Sequence, residues 1–132
     1  MSQVFAADCV SNSAAIPVAG APETGVITGN FLSPPFQNAK AAVMAMVVMT
    51  VATGTTGVVL RLRRNPNAEN VLVASSTGVN AIVGNNVNLC IQGADPIPDG
   101  RPVQYQLTVN QVGASAGYSV ASTTITTMLL SG

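Results

Sequence analysis

Few side chains in this sequence can do chemistry, and the missing kinds set the first limits. There is no histidine among the 132 residues, which removes the usual general base, nucleophile activator and commonest metal ligand together. Cys9 and Cys90 are the two cysteines, and without a Cys-x-x-Cys pair an ordinary structural zinc site has no ligand set. Glycine is frequent, yet no Gly-x-Gly-x-x-Gly and no Gly-Lys-Ser/Thr occurs, so the phosphate-cradling loops are absent. One close pair of carboxylates remains, Asp95 and Asp99 in Ala94-Asp95-Pro96-Ile97-Pro98-Asp99-Gly100. A calcium ion there would need about six or more oxygens. A glycosidase would want two carboxylates facing one cleft with aromatics to hold sugar, and the chain has two tyrosines and no tryptophan. The plainer reading makes both turn-forming aspartates, with Asp99 opening a tight turn at Gly100. No catalytic residue, no cofactor and no metal is expected, and the chain is not read as an enzyme.

The one concentration of charge is Arg61, Arg63 and Arg64, three of five basic residues. Three readings stand beside each other. The arginines form a solvated strand face or guard a sheet edge against stray pairing. Alternatively they are a subunit contact that grips carboxylates or carbonyls of a neighbour. A nucleic-acid contact is the third, with nothing else nearby basic or aromatic to support it.

These residues sit in a background unusually poor in charge. Only 8% of residues are charged and 48% are hydrophobic, against about a quarter charged in ordinary globular chains. Five basic and five acidic side chains give a formal net charge of zero. Near-neutral proteins associate, so partners are expected to cover much of the surface. A polyanion is bound by a surplus of Lys and Arg, so no nucleic acid is expected as partner. The length fits one domain. Residues 41 to 60 are uncharged over about a membrane span, but Thr50 and Thr53-Gly54-Thr55-Thr56-Gly57 split them, and a hairpin explains the pattern better than a span; no membrane is expected. The N-terminus lacks the basic and apolar regions of a secretory signal, suggesting synthesis in a cytoplasm. Cys9 and Cys90 read first as small buried hydrophobes, with a bridge between them as the alternative.

The elements that must position these residues read as strands. Residues 1 to 40 show no sustained period and carry Pro17, Pro22, Pro34 and Pro35; they are expected to be an extended N-terminal arm whose short apolar pieces add to a sheet edge of the same or a neighbouring subunit. Residues 41 to 132 are expected to form a β-sandwich. Val43, Ala45, Val47, Met49 and Val51 occupy one face of the first strand while Met44, Met46 and Val48 occupy the other, so it is central or lies under a neighbour. Val58, Leu60 and Leu62 alternate with Val59, Arg61 and Arg63. After a short run at 71 to 73, Val87, Leu89 and Ile91 point in and Asn88 and Cys90 out. The prolines of 94 to 100 predict a loop. Val103, Tyr105, Leu107 and Val109 then alternate with Gln104, Gln106, Thr108 and Asn110, Gly113-Ala114-Ser115-Ala116-Gly117 predicts a turn, and residues 118 to 130 are a β-branched closing strand. Turn signals every eight to fifteen or so residues predict an all-β antiparallel β-sandwich or jelly roll with little helix.

With Val58-Val59-Leu60-Arg61-Leu62-Arg63-Arg64 leading a hairpin and Val103-Gln104-Tyr105-Gln106-Leu107-Thr108-Val109 ahead of the Gly113 to Gly117 turn, the chain resembles the small head-decoration (cement) or minor capsid proteins of tailed bacteriophages. The resemblance is one of style and covers roughly residues 41 to 130. It implies a virion structural protein, made in the host cytoplasm and located in the virion, that forms a homo-oligomer, a trimer first, on a major capsid protein and reinforces the shell. It also implies that residues 1 to 40 are the arm reaching across that shell. A small jelly-roll coat protein forming the shell itself, and a fibre-tip or lectin-like binding module, are the alternatives.

Overall fold

The computed structural model describes residues 4–13, 16–18, 23–34, 37–51, 55–76, 79–82, 86–97, 99–112 and 118–131. Among them there is no helix, and ten strands run in the order β1 (Val4–Asn12), β2 (Ile16–Val18), β3 (Thr24–Thr28), β4 (Ala39–Val51), β5 (Thr55–Arg64), β6 (Val71–Ser75), β7 (Val79–Ile82), β8 (Asn86–Ile97), β9 (Tyr105–Val112) and β10 (Tyr118–Ser131).

The strands form two antiparallel sheets. Sheet A has the order β1-β10-β4-β8, with β2 continuing the β1 edge along β10; sheet B has the order β3-β9-β5-β6, with β7 continuing the β6 edge along β5. The pairings are nested: β5 with β6 lies inside β4 with β8, that pair inside β3 with β9, and that inside β1 with β10. One long antiparallel ribbon therefore folds over itself and sends its strands by turns to two sheets, which is a jelly roll.

Alternation explains which side each strand buries. On β4, Ala41, Val43, Ala45, Val47 and Met49 are buried, and β5 contributes Val58, Leu60 and Leu62 from the facing sheet. Val103, Tyr105, Leu107 and Val109 come from in and before β9, and Ile125 and Leu129 from β10. Each fully buried Val, Leu or Ile side chain contributes about 1.5 to 3 kcal/mol relative to exposure. The β10 register shifts between Val120 and Ser122, so Val120 and Thr123 both face inward although an odd spacing separates them; one extra residue resets the phase. At Gly93 the sheets come close: a Cβ built there would stand 3.0 Å from Ala74 Cβ and 3.3 Å from Val73 Cγ1 of β6.

Several expectations change. The short apolar pieces of the first forty residues do add to sheet edges, those of the same chain: β2 pairs with β10 and β3 with β9. β1, which showed no period, also pairs with β10, so the described residues of this segment belong to the sandwich. Their period is weak because each is an edge strand, where Pro17 and Gly25 are tolerated. The 94 to 100 loop is shorter than expected, since β8 continues through Asp95 and Pro96 to Ile97; β8 is also an edge, so the proline needs no second partner strand. β4 and β5 are not a hairpin, because they belong to different sheets. β7 lacked a readable pattern. The expected turn at residues 113 to 117 lies outside the described residues, as do residues 52 to 54 of the Thr-Gly cluster. No described helix is long and apolar enough to cross a membrane.

Candidate functional site

The three clustered arginines divide by strand phase. Arg61 and Arg63 lie in the outward phase of β5, on the outer face of sheet B, and both take Glu23 as partner across β9. Nε of Arg63 meets Oε2 of Glu23 at 2.7 Å and Nη2 donates to Oε1 at 3.1 Å, a forked contact. Nη1 of Arg61 reaches the same Oε1 at 3.2 Å and also donates to Oδ1 of Asn110. The hydrogen bond from Arg63, reinforced by the charges of Arg63 and Arg61, holds the Glu23 carboxyl below its ordinary range. In return Glu23 raises the guanidinium pKa of Arg63.

Arg64 falls in the inward phase, after Val58, Leu60 and Leu62. At the end of the strand its guanidinium enters the rim of the core, where Nη1 donates to both oxygens of Asp95, at 2.8 and 2.9 Å. Asp95 is 6% exposed and comes from sheet A; its Oδ2 also accepts the hydroxyl hydrogen of Tyr105 at 2.7 Å. Burial, with the Asp95 carboxylate beside it, pushes the Tyr105 phenol far above its ordinary pKa, so it stays protonated and donates. The three residues tie β5, β8 and β9 together across both sheets.

This network continues outward. Nη2 of Arg64 lies 3.7 Å from Glu69, Arg101 reaches Glu69 at 2.7 Å, and Arg101 Nη2 lies 2.5 Å from Asp99. Hydrogen bonds from Arg101 hold both Glu69 and Asp99 below the usual carboxylate range. Glu69 is presented by the turn after β5, where Asn65 (φ 48) and Asn70 (φ 51) take the left-handed conformation that asparagine tolerates. Asn65 also accepts from the Gln104 backbone at 2.9 Å and donates to Glu69 at 3.1 Å. These side chains line a cleft of about 400 Å³. Each of its carboxylates is already bound to an arginine, and no group of three or more metal-ligating side chains occurs among the described residues. Asp95 is therefore a strand residue in a buried ion pair, contrary to its expected turn role, while Asp99 does sit in a turn beside Gly100 at φ 67.

The outer face of sheet A contrasts sharply with this. The register sets Cys9 beside Thr126, Thr126 beside Met44 and Met44 beside Gln92. The flanking rows are Ala7, Met128, Ala42, Ala94 and Ser11, Thr124, Met46, Cys90. Met44, Met46 and Met128 are 49%, 51% and 36% exposed. A shallow apolar depression of about 450 Å³ lies between Ala42, Met44, Ala94 and Met128. In the outward phase of β1, β10, β4 and β8, Lys40 is the one charged residue among those described. The apolar second side of β4 was legible in the sequence; its extension over β10 and β8 was not, because the threonines and glutamine there read as solvated positions.

Both cysteines belong to this face and both are exposed: the alternation had placed Cys90 outward, as found, and the reading of the pair as small buried hydrophobes is corrected. β10 and β4 lie between their strands, so the strand spacing alone sets them more than about 14 Å apart, while a disulfide needs Cα atoms within about 7 Å. They do not pair within the chain.

No family model matches the sequence, and no curated protein matches it. Solved structures match in shape. Superposition on the viral particle of infectious bursal disease virus described as T13 gives a TM-score of 0.58 at 8% identity, covering 98% of this chain and 34% of that one. The Gt strain of the same virus gives 0.55 at 11% identity, covering 98% and 35%. A third structure, of Bacillus endospore appendages described as disulfide-linked pili, reaches 0.43 at 15% identity, covering 92% and 89%. The viral matches are capsid proteins, and this chain spans about a third of their length. At these identities the likeness is one of fold.

Proposed function

We propose that this chain is a structural subunit of a virion, acting by assembly and not by catalysis, and that it sits on a shell of major capsid protein as a homo-oligomer, a trimer first, which it decorates and reinforces. The observation that carries the reading is the superposition of nearly the whole chain, as one jelly roll, on viral capsid proteins. Two features of the molecule support it. Each arginine is tied to a carboxylate of the same chain, so the surface offers no basic stripe for packaged nucleic acid. The outer face of sheet A spans four strands and carries Lys40 as its one charge among the described residues, as a packing surface requires.

In this reading Arg61 and Arg63, with side chains 27% and 21% exposed, serve as a polar subunit contact on the other face. Arg64 belongs to the candidate contact only indirectly, since it holds the two sheets together. A coat protein forming the shell itself is the second reading, favoured by the capsid identity of the structural matches.

Fractionation tests both. A decoration subunit is expected in intact particles at a fixed, high copy number and is removable while the shell survives. For a coat protein, removal dissolves the shell. Absence of the chain from purified particles would contradict both readings.

A further inference from the structure

We infer that the outer face of sheet A is a docking surface for a second copy of this chain, packed sheet against sheet. The inference rests on the assembly half of the function proposed above and stands independently of the virion setting.

The first argument is area. Four strands at about 4.8 Å spacing, followed for the nine or so residues from Lys40 to Val48, make a face of about 19 by 30 Å. That is nearly 600 Å² in projection, and the protruding Met44, Met46 and Met128 raise the accessible area further. Two such faces together approach the roughly 1,200 Å² at which specific interfaces begin, so the strands supply most of the area that a dimer of this chain needs.

The second argument is charge. A face docked on its own copy meets its own charges, and like charges opposed in a dry interface are costly. Here the single cation, Lys40, stands in the end row beside Leu130 and Pro96, where it stays at the rim. The interior carries threonine, methionine, alanine, glutamine and cysteine. An acidic or basic partner would find no complement on it, whereas a second copy offers the same methionines. Their flexible side chains adapt to each other across a flat seam. The outer face of sheet B, with Arg61, Arg63 and Glu23, lacks this self-complementarity.

Cys9 and Cys90 give a native readout, because they stand on opposite edges of the face and are exposed in the single chain. Purified full-length chain is examined by sedimentation across micromolar concentrations, and the rate at which each thiol reacts with a maleimide is followed by mass spectrometry. The expected result is a concentration-dependent dimer in which one or both thiols react at least 10-fold more slowly than in dilute monomer. Met44→Glu with Met46→Glu is expected to raise the dissociation constant at least 100-fold and restore fast labelling, while Asn67→Glu in the exposed turn after β5 leaves both unchanged. A monomer at all concentrations would overturn the inference, as would an oligomer whose thiols label at the monomer rate. The thiol rates in the unmodified chain decide the matter if the double variant misfolds. Failure here together with the chain's presence in particles would leave the virion reading intact and point to a different contact face.

Discussion

Tyr105 donates its phenolic hydrogen to Asp95 at 2.7 Å, and through that bond a residue of sheet B holds the carboxylate that Arg64 approaches from the same sheet. The carboxylate is carried by sheet A, so the contact pins the two layers at one end of the core. A buried carboxylate is tolerated because both of its oxygens are occupied.

Removing either side of this contact is expected to destabilise the fold. Asp95→Ala leaves the Arg64 charge with only the more distant Glu69, 3.7 Å away, and the Tyr105 hydroxyl without its acceptor, and should cost about 3 kcal/mol. Tyr105→Phe removes one donor and should cost about 1 to 2 kcal/mol. Replacing Arg64 with Met and Asp95 with Leu together should recover most of the Asp95→Ala loss, because an apolar pair leaves no stranded charge. Denaturant unfolding of the variants measures this; a neutral Asp95→Ala would show that the ion pair is incidental.

Acid should loosen the outer face of sheet B. Glu23 is held below its ordinary value of 4.5 first by the Arg63 hydrogen bond. A carboxyl depressed in the folded state contributes stability that is present above its unfolded pKa and is lost as pH falls through the folded one. Melting temperature is therefore expected to fall below about pH 4.5, and Glu23→Gln should flatten part of that slope. Because the pairs are screened by water, the share of Glu23 is about 0.5 kcal/mol and shrinks with salt. An unchanged pH profile in Glu23→Gln would contradict the assignment.

At Gly93 the two sheets come close enough that Ala74 and Val73 of β6 leave little room for a side chain. Gly93→Val adds volume against Ala74 and Val73, where even one Cβ is tight, and should cost about 1 to 3 kcal/mol by overpacking. Thermal melting tests it, with Ala94→Val on the outward side of the same strand as control. Equal effects of the two would place Gly93 away from the core.

Cys9 and Cys90 should remain free within the chain. Alkylation of the denatured, unreduced single-chain species is expected to modify both, and recovery of a peptide joining Cys9 to Cys90 of one chain would contradict the strand order of sheet A.

Where two faces of a strand meet different surroundings, the sequence was readable. β9 and the second half of β5 alternate cleanly because one side packs on the core and the other is a polar, half-covered face, on which Thr108 is itself buried, and the apolar double face of β4 signalled a central position. The edges were opaque. β1 to β3 have a partner strand on one side only, so prolines and glycines persist in them and the pattern resembles an arm. The central ion pair was hidden for another reason: Arg64, Asp95 and Tyr105 belong to three strands that only the tertiary fold brings together. One signal was present, since Arg64 continues the inward phase of Val58, Leu60 and Leu62, and a charge in that phase implies a buried partner.

The most direct test of the whole account is the copy number of this chain in gradient-purified particles from its source, counted by quantitative mass spectrometry against the main shell protein. A fixed ratio is expected in every intact-particle fraction, with the chain oligomeric when released. A chain found only in the slow-sedimenting soluble fraction, as a monomer, would contradict it.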